Sequence, residues 1–230
     1  MNRDYIEILN NIWDEETREQ AKVYFEKYWL DEDEYFEKWR PIQESIFDGK
    51  AKYLPDMMFN VGFELFPLVG GDIFVAESDF TMLQDCMHRT GDEHFAIVQN
   101  RNVVIGGGSI DGVPYEEHPF TRFKYPVDIS WAELMSGGIM GSEHFNNGCK
   151  DYFVFGDSGN WGRYVGNSYA RPTNLDSSDP INIMGFKKQF SELFIRNFEK
   201  VRQLEPEITS EILLSEWLPD PYKQLPGSLG

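Results

Sequence analysis

Apolar residues fall at helical spacing through the first fifty positions of the chain. After Asp14, a residue suited to an N-cap, Ala21, Tyr24, Phe25 and Tyr28 recur at three- and four-residue steps. After Asp31 the same spacing links Tyr35, Phe36 and Trp39, so each helix can bury one aromatic stripe. Pro41 should end or kink the second pattern, and a short helical piece carrying Ile42, Ile46 and Phe47 is expected beyond it.

From Val61 the pattern changes to short strands: FELFPLV, DIFVA, FAIVQ and VVI, the last two separated by the hairpin-like Asn100, Arg101 and Asn102. Between them a helix is expected, with Ser78 as its cap, Phe80, Leu83 and Met87 as its apolar face and Gly91 as its left-handed stop. A second short helix should begin at Ser130, whose spacing to Glu133 is that of a capping box, and stop at Gly137 and Gly138. Further on come DYFVF, the turn-rich GDSGNWG, RYV, a strand around NSYAR, the loop TNLDSSDP and INIM. Phe186, Phe190, Leu193, Phe194, Phe198 and Val201 then share one face of a final long helix. The tail, with prolines at 219, 221 and 226, is expected to be loose beyond a short helix containing Ile212, Leu213 and Trp217.

These elements predict an α+β fold, a mixed or antiparallel sheet with packed helices. The expected organisation is a helical N-terminal extension over 1–50, an α+β domain over 51–204 and a short helix with a loose tail over 205–230. At 230 residues, 41% hydrophobic and 15% aromatic, the chain can bury a sizeable core without staples. The cysteines, Cys86 and Cys149, fit neither a disulfide framework nor a paired metal motif, so free thiols in a reducing cytoplasm are expected. No stretch has secretory or transmembrane character.

Charge narrows the function. A formal net charge of −18 disfavours nucleic acid, whose phosphates require Lys and Arg, and suits a basic protein partner. The first 50 residues alone carry 14 acidic and 7 basic side chains, whereas Phe186–Leu204 carries 5 basic and 2 acidic.

The fragment Gly156-Asp157-Ser158-Gly159 matches the surroundings of the serine-protease nucleophile. That chemistry needs a histidine to take the serine proton and an aspartate to orient it, and His88 in QDCMHRT has none of the expected context. Turn chemistry is the expected role. Gly106, Gly107 and Gly108 follow neither phosphate-loop spacing. Cys86, His88 and His94, or Glu116, Glu117 and His118, lack tight metal-ligand spacing, so no metal, cofactor or catalytic residue is assigned. Trp161, set among turn residues, must either fold back on the sheet or stand out as a binding anchor. The binding candidates are Asp157, Asn160, Trp161, Arg163 and Tyr164, with Glu143 and His144 nearby in sequence.

The order DYFVFGDSGNWGRYV, a further strand, an acidic loop, INIM and FKKQFSELF resembles the closing part of SMI1/KNR4-like domains of the SUKH superfamily. YLPD at Tyr53–Asp56 and Gly70-Gly71 are similar to that family's Leu-Pro and Gly-Gly elements, although FNVGFELFPLV reads as strand where the family has helix. The resemblance implies a non-enzymatic α+β domain, many bacterial members of which are immunity proteins that neutralise a toxin, often a basic nuclease. It carries over no catalytic position. The alternatives are a hydrolase or other small-molecule enzyme with a site assembled from dispersed Asp, Glu and His, and a structural or scaffolding module.

Overall fold

The computed structural model describes residues 5–10, 12, 14–69, 73–74, 76–100, 109–110, 113–114, 120–136, 151–166, 181–202 and 220–223. Two helices open it, α1 (Tyr5–Asn10) and α2 (Glu15–Tyr28). A second helical run follows: α3 (Glu32–Glu34), a π-helical turn (Tyr35–Trp39) and α4 (Arg40–Ile46). The strands are β1 (Phe63–Val69), β2 (His94–Gln99), β3 (Ser109–Ile110), β4 (Val113–Pro114), β5 (Arg122–Pro126), β6 (Tyr152–Gly156), β7 (Trp161–Gly166) and β8 (Ile181–Lys187). The remaining helices are α5 (Glu77–Thr90), α6 (Trp131–Leu134), α7 (Ser191–Arg202) and α8 (Asp220–Lys223).

The main sheet has six strands in the order β1-β8-β7-β6-β2-β5, every neighbouring pair antiparallel, and β3 pairs separately with β4. The fold is therefore α+β with packed helices, and its sheet is antiparallel rather than mixed. Side chains alternate along each strand between two apolar clusters. Phe95, Ile97, Val154, Trp161 and Phe186 point to one, shared with α1, α2, α5 and α7; Ala96, Val98, Phe155, Tyr164 and Ile183 point to the other, shared with the run Tyr35–Phe47 and with Tyr222 of α8. Helices cover both faces, so the central strands are buried throughout and read as continuous apolar runs.

The N-terminal helices reach both layers because the chain crosses the sheet edge between them. Trp29 bridges Phe123, the Leu30 N–H donates to the Arg122 carbonyl at 3.1 Å, and Arg122 Nε returns a bond to the Leu30 carbonyl at 2.9 Å. This segment satisfies part of the free edge of β5, which would otherwise offer unpaired backbone groups to another chain.

On the second face Gly162 of β7 lies opposite Gly185 of β8. A Cβ there would meet Phe47 Cζ at 2.6 Å and Phe59 Cε1 at 2.4 Å, so the two glycines form the trough that seats both rings. That trough fixes the loop leaving α4.

Several local expectations need correcting. Pro41 does not end the second helix: the wider π turn, closed by Arg40 N–H on the Tyr35 carbonyl, precedes it, and the chain continues directly into α4. Ser78 is not the cap of α5; the cap position is Ala76, without a side-chain bond, although Gly91 takes the left-handed stop at φ 82°. Ile73 and Phe74 of DIFVA lie in a bend, outside any strand. Phe186 belongs to β8, since the sheet pairing continues to Lys187 and α7 begins only at Ser191 after one 3-10 turn. Ser130 does cap α6, accepting the Glu133 N–H at 3.2 Å. The expected strands VVI and NSYAR, the stop at Gly137-Gly138 and the helix containing Ile212, Leu213 and Trp217 lie outside the described residues.

Candidate functional site

The hairpin joining β6 to β7 gathers most of the sequence-derived candidates, and it is a structural joint. Asp92, buried between α5 and β2, accepts hydrogen bonds from Thr90 Oγ1 at 2.5 Å, the Ser158 N–H at 2.7 Å and Trp161 Nε1 at 2.9 Å. A carboxylate out of water requires such donors, and those from Ser158 and Trp161 tie the turn to the end of α5. Trp161 itself is fully buried against Phe194. It is a core residue and not a surface anchor, because the turn folds its ring inward where the indole N–H finds Asp92.

Arg163 and Tyr164 are corrected in the same way, since alternate residues of β7 point into opposite layers. The Arg163 guanidinium is fully buried, donates to both oxygens of Asp79 at 2.8 and 2.9 Å and to the Ile73 carbonyl at 2.8 Å, and lies 5.5 Å from the rings of Phe74 and Phe198. The Tyr164 hydroxyl donates to Asp151 in a close contact, and burial, followed by the Asp151 charge, pushes its ionisation far up. None of these three side chains can meet a partner.

Asp157 and Asn160 are half-buried. The Asp157 carboxylate accepts the N–H groups of Glu93 and His94 at 3.1 and 2.9 Å, and partial burial raises its pKa in spite of those bonds. Asn160 donates to the Thr90 carbonyl at 3.4 Å and accepts from Lys187 at 3.1 Å. The Ser158 hydroxyl accepts the Asn160 N–H at 3.3 Å, so its neighbour is backbone rather than imidazole. His88 is paired with Asp128 on the surface, and His94 lies 3.6 Å from Asp157. Cys86 is buried, its thiol pushed up to about 12 by burial, and it forms no metal-ligand group with His88 and His94 among the described residues. Glu143, His144, Glu116, Glu117, His118, Gly106, Gly107 and Gly108 lie outside the described residues.

A different place has the open geometry of a site. Between the helical run Tyr35–Glu44, the loop Phe47–Ala51 and the ends of β2 and β6 lies a groove of about 540 Å³, within the size range of ordinary ligand clefts. Phe47, Phe120 and Phe153 give it an aromatic lining, Phe47 and Phe153 only 4.7 Å apart, and Gln43, Gln99 and Asn100 add amides. The helical wall owes its position to local chemistry. The Asp31 carboxylate caps the Asp33 N–H at 3.0 Å, and Glu32, Asp33 and Glu34 suit the positive end of the run. Through the π turn, Tyr35 and Trp39 enter the core while Phe36 and Arg40 stay outside at the groove.

Phe36 is 40% exposed, a large aromatic left facing water. The Arg40 guanidinium lies 5.4 Å from the Phe36 ring, and Arg40 Nε donates to Glu44 at 2.7 Å. Asp48 lies further along the rim, using one oxygen to accept the Lys50 N–H at 2.9 Å. Among the described residues, those lining the groove include no serine, cysteine or histidine. What this arrangement can do chemically is hold a flat or cationic group between aromatic rings and carboxylates.

The chain matches no family model, no curated protein and no solved structure. Among the described residues, no helix is long and apolar enough to cross a membrane. Sequence reasoning missed the groove because its residues come from four separate stretches, and periodicity assigns Tyr35 and Phe36 to one stripe.

Proposed function

We propose that this protein is a non-enzymatic binding protein that engages a basic protein partner through its acidic helical surface. The observation that carries the reading is the groove beside α4, whose aromatic lining is open and whose rim carries the carboxylates Glu44 and Asp48. Residues 31–48 carry seven carboxylates against Lys38 and Arg40, so the field around the groove attracts cations. Neutralisation of a basic toxin inside the cytoplasm is the form of this activity that the SUKH resemblance suggests, the acidic surface covering the part of a nuclease meant for phosphate.

The test is titration of the purified protein with a panel of basic nuclease domains across a range of ionic strengths. The expected result is binding that weakens steeply between low and physiological salt. Affinity indifferent to salt overturns the electrostatic reading. Hydrolysis of a small ester or glycoside, lost when groove residues are changed, would make the protein an enzyme instead.

A further inference from the structure

We infer that the groove beside α4 receives an arginine side chain of the partner, and that Arg40 is this protein's own guanidinium held at the edge of that site. The inference rests on the reading of the protein as a binder of basic proteins and adds the place and the chemistry of the contact.

Phe36, Arg40 and Glu44 already form the contact that such a partner would make. One face of a guanidinium meets an aromatic ring at 5.4 Å while its edge donates to a carboxylate at 2.7 Å. The internal version is weak by construction. The side chains of Arg40 and Glu44 are 51% and 57% exposed, so water screens the pair and its net contribution is small. With Arg40 in place the groove still leaves about 540 Å³ beside it. An incoming arginine therefore has room, aromatic rings at Phe36 and Phe153, and carboxylates at Glu44 and Asp48. Arg40 competes with it for Glu44 and repels it.

The lining also favours guanidinium over ammonium. An arginine is planar, weakly hydrated and stacks on rings while donating sideways, whereas a lysine would lose tightly held water on entering an aromatic cleft.

The test uses the full chain and two labelled probes, a short glycine-arginine peptide and its glycine-lysine counterpart, read by fluorescence anisotropy at low salt. Arg40→Ala should tighten the arginine peptide roughly three- to tenfold, by removing both competitor and repulsion. Lys38→Ala makes the same charge change outside the groove lining and should shift it less than about twofold. Glu44→Gln and Phe36→Ala should each weaken it roughly three- to fivefold, and Glu37→Gln, again outside the lining, less than about twofold. Arginine should be preferred to lysine. Equal shifts for groove variants and their charge controls would overturn the groove assignment and leave the acidic-surface reading intact. Failure of the arginine and lysine peptides alike to bind the unaltered protein would overturn both.

Discussion

The β6–β7 hairpin and the groove beside α4 are both rich in polar and aromatic residues, yet they use them oppositely. At the hairpin the buried charged groups are paired inside: Asp92 with Trp161, Thr90 and the Ser158 N–H, Arg163 with Asp79. In the groove an aromatic ring and an ion pair are left at the surface, loosely held. Residue type is the same language in both places. The difference is whether folding has already used the interactions, and only the second region has some to offer a partner.

The largest effect is expected at Asp79. Replacing it with alanine leaves the fully buried Arg163 without its bidentate partner, which should cost about 3–5 kcal/mol in denaturant unfolding. Trp161→Ala should follow closely, at about 3–5 kcal/mol, because it opens a core cavity and removes one of the donors to Asp92. A loss below about 1 kcal/mol in the tryptophan variant would mean that the hairpin is surface after all. Gly156→Ala should cost about 1–3 kcal/mol, since the added methyl would lie 2.2 Å from Asp92 Oδ1 unless the joint opens.

These expectations also mark how far the sequence could be read. The strands and the helices around Tyr24, Leu83 and Ser130 were legible because each must hide an apolar stripe, and the stripe has the period of its element. The α+β class followed from them, whereas the choice between a mixed and an antiparallel sheet needed the strand pairing itself. Function was harder to read, because GDSGNWGRYV looks equally exposed as a string whether its side chains turn outward or inward. Only the register of β7 on β6 and β8 decides that Trp161 and Arg163 face α5 and α7 while Tyr164 faces the other layer. Pro41 misled for a related reason. The rule that proline ends a helix assumes α geometry on its N-terminal side, and the extra residue in the π turn removes that assumption.

A smaller effect should appear at the shoulder of the groove's helical run. Burial alone would raise the Glu34 carboxyl, but the bonds it accepts from Lys124 Nζ at 2.6 Å and Trp39 Nε1 at 3.4 Å outweigh this and hold it below its ordinary range. A carboxyl with a depressed folded-state pKa stabilises the fold above its unfolded value, about 4.3, and that contribution is lost as the pH falls through the lower folded value. Glu34→Gln should therefore cost about 0.5–1 kcal/mol at neutral pH. The gap from the unaltered protein should close in acid below about pH 4. A gap constant across that range would show that Glu34 acts through packing rather than charge.

The smallest effect on stability is expected at Phe36, one of the side chains proposed to meet the partner's arginine. Phe36 packs edge-on to Tyr35 at 5.2 Å and carries Arg40 above its ring, but it is 40% exposed and belongs to neither apolar cluster. Truncation to alanine creates no cavity and leaves no buried polar group unmatched, so thermal unfolding should change by less than about 0.5 kcal/mol. A helix former also replaces an aromatic within a helical run, which offsets part of the lost contact. A cost of several kcal/mol would make Phe36 a core residue like Trp161 and erase the contrast between groove and hairpin. Near-neutrality would leave an exposed aromatic that folding does not need, which is the property a binding surface requires.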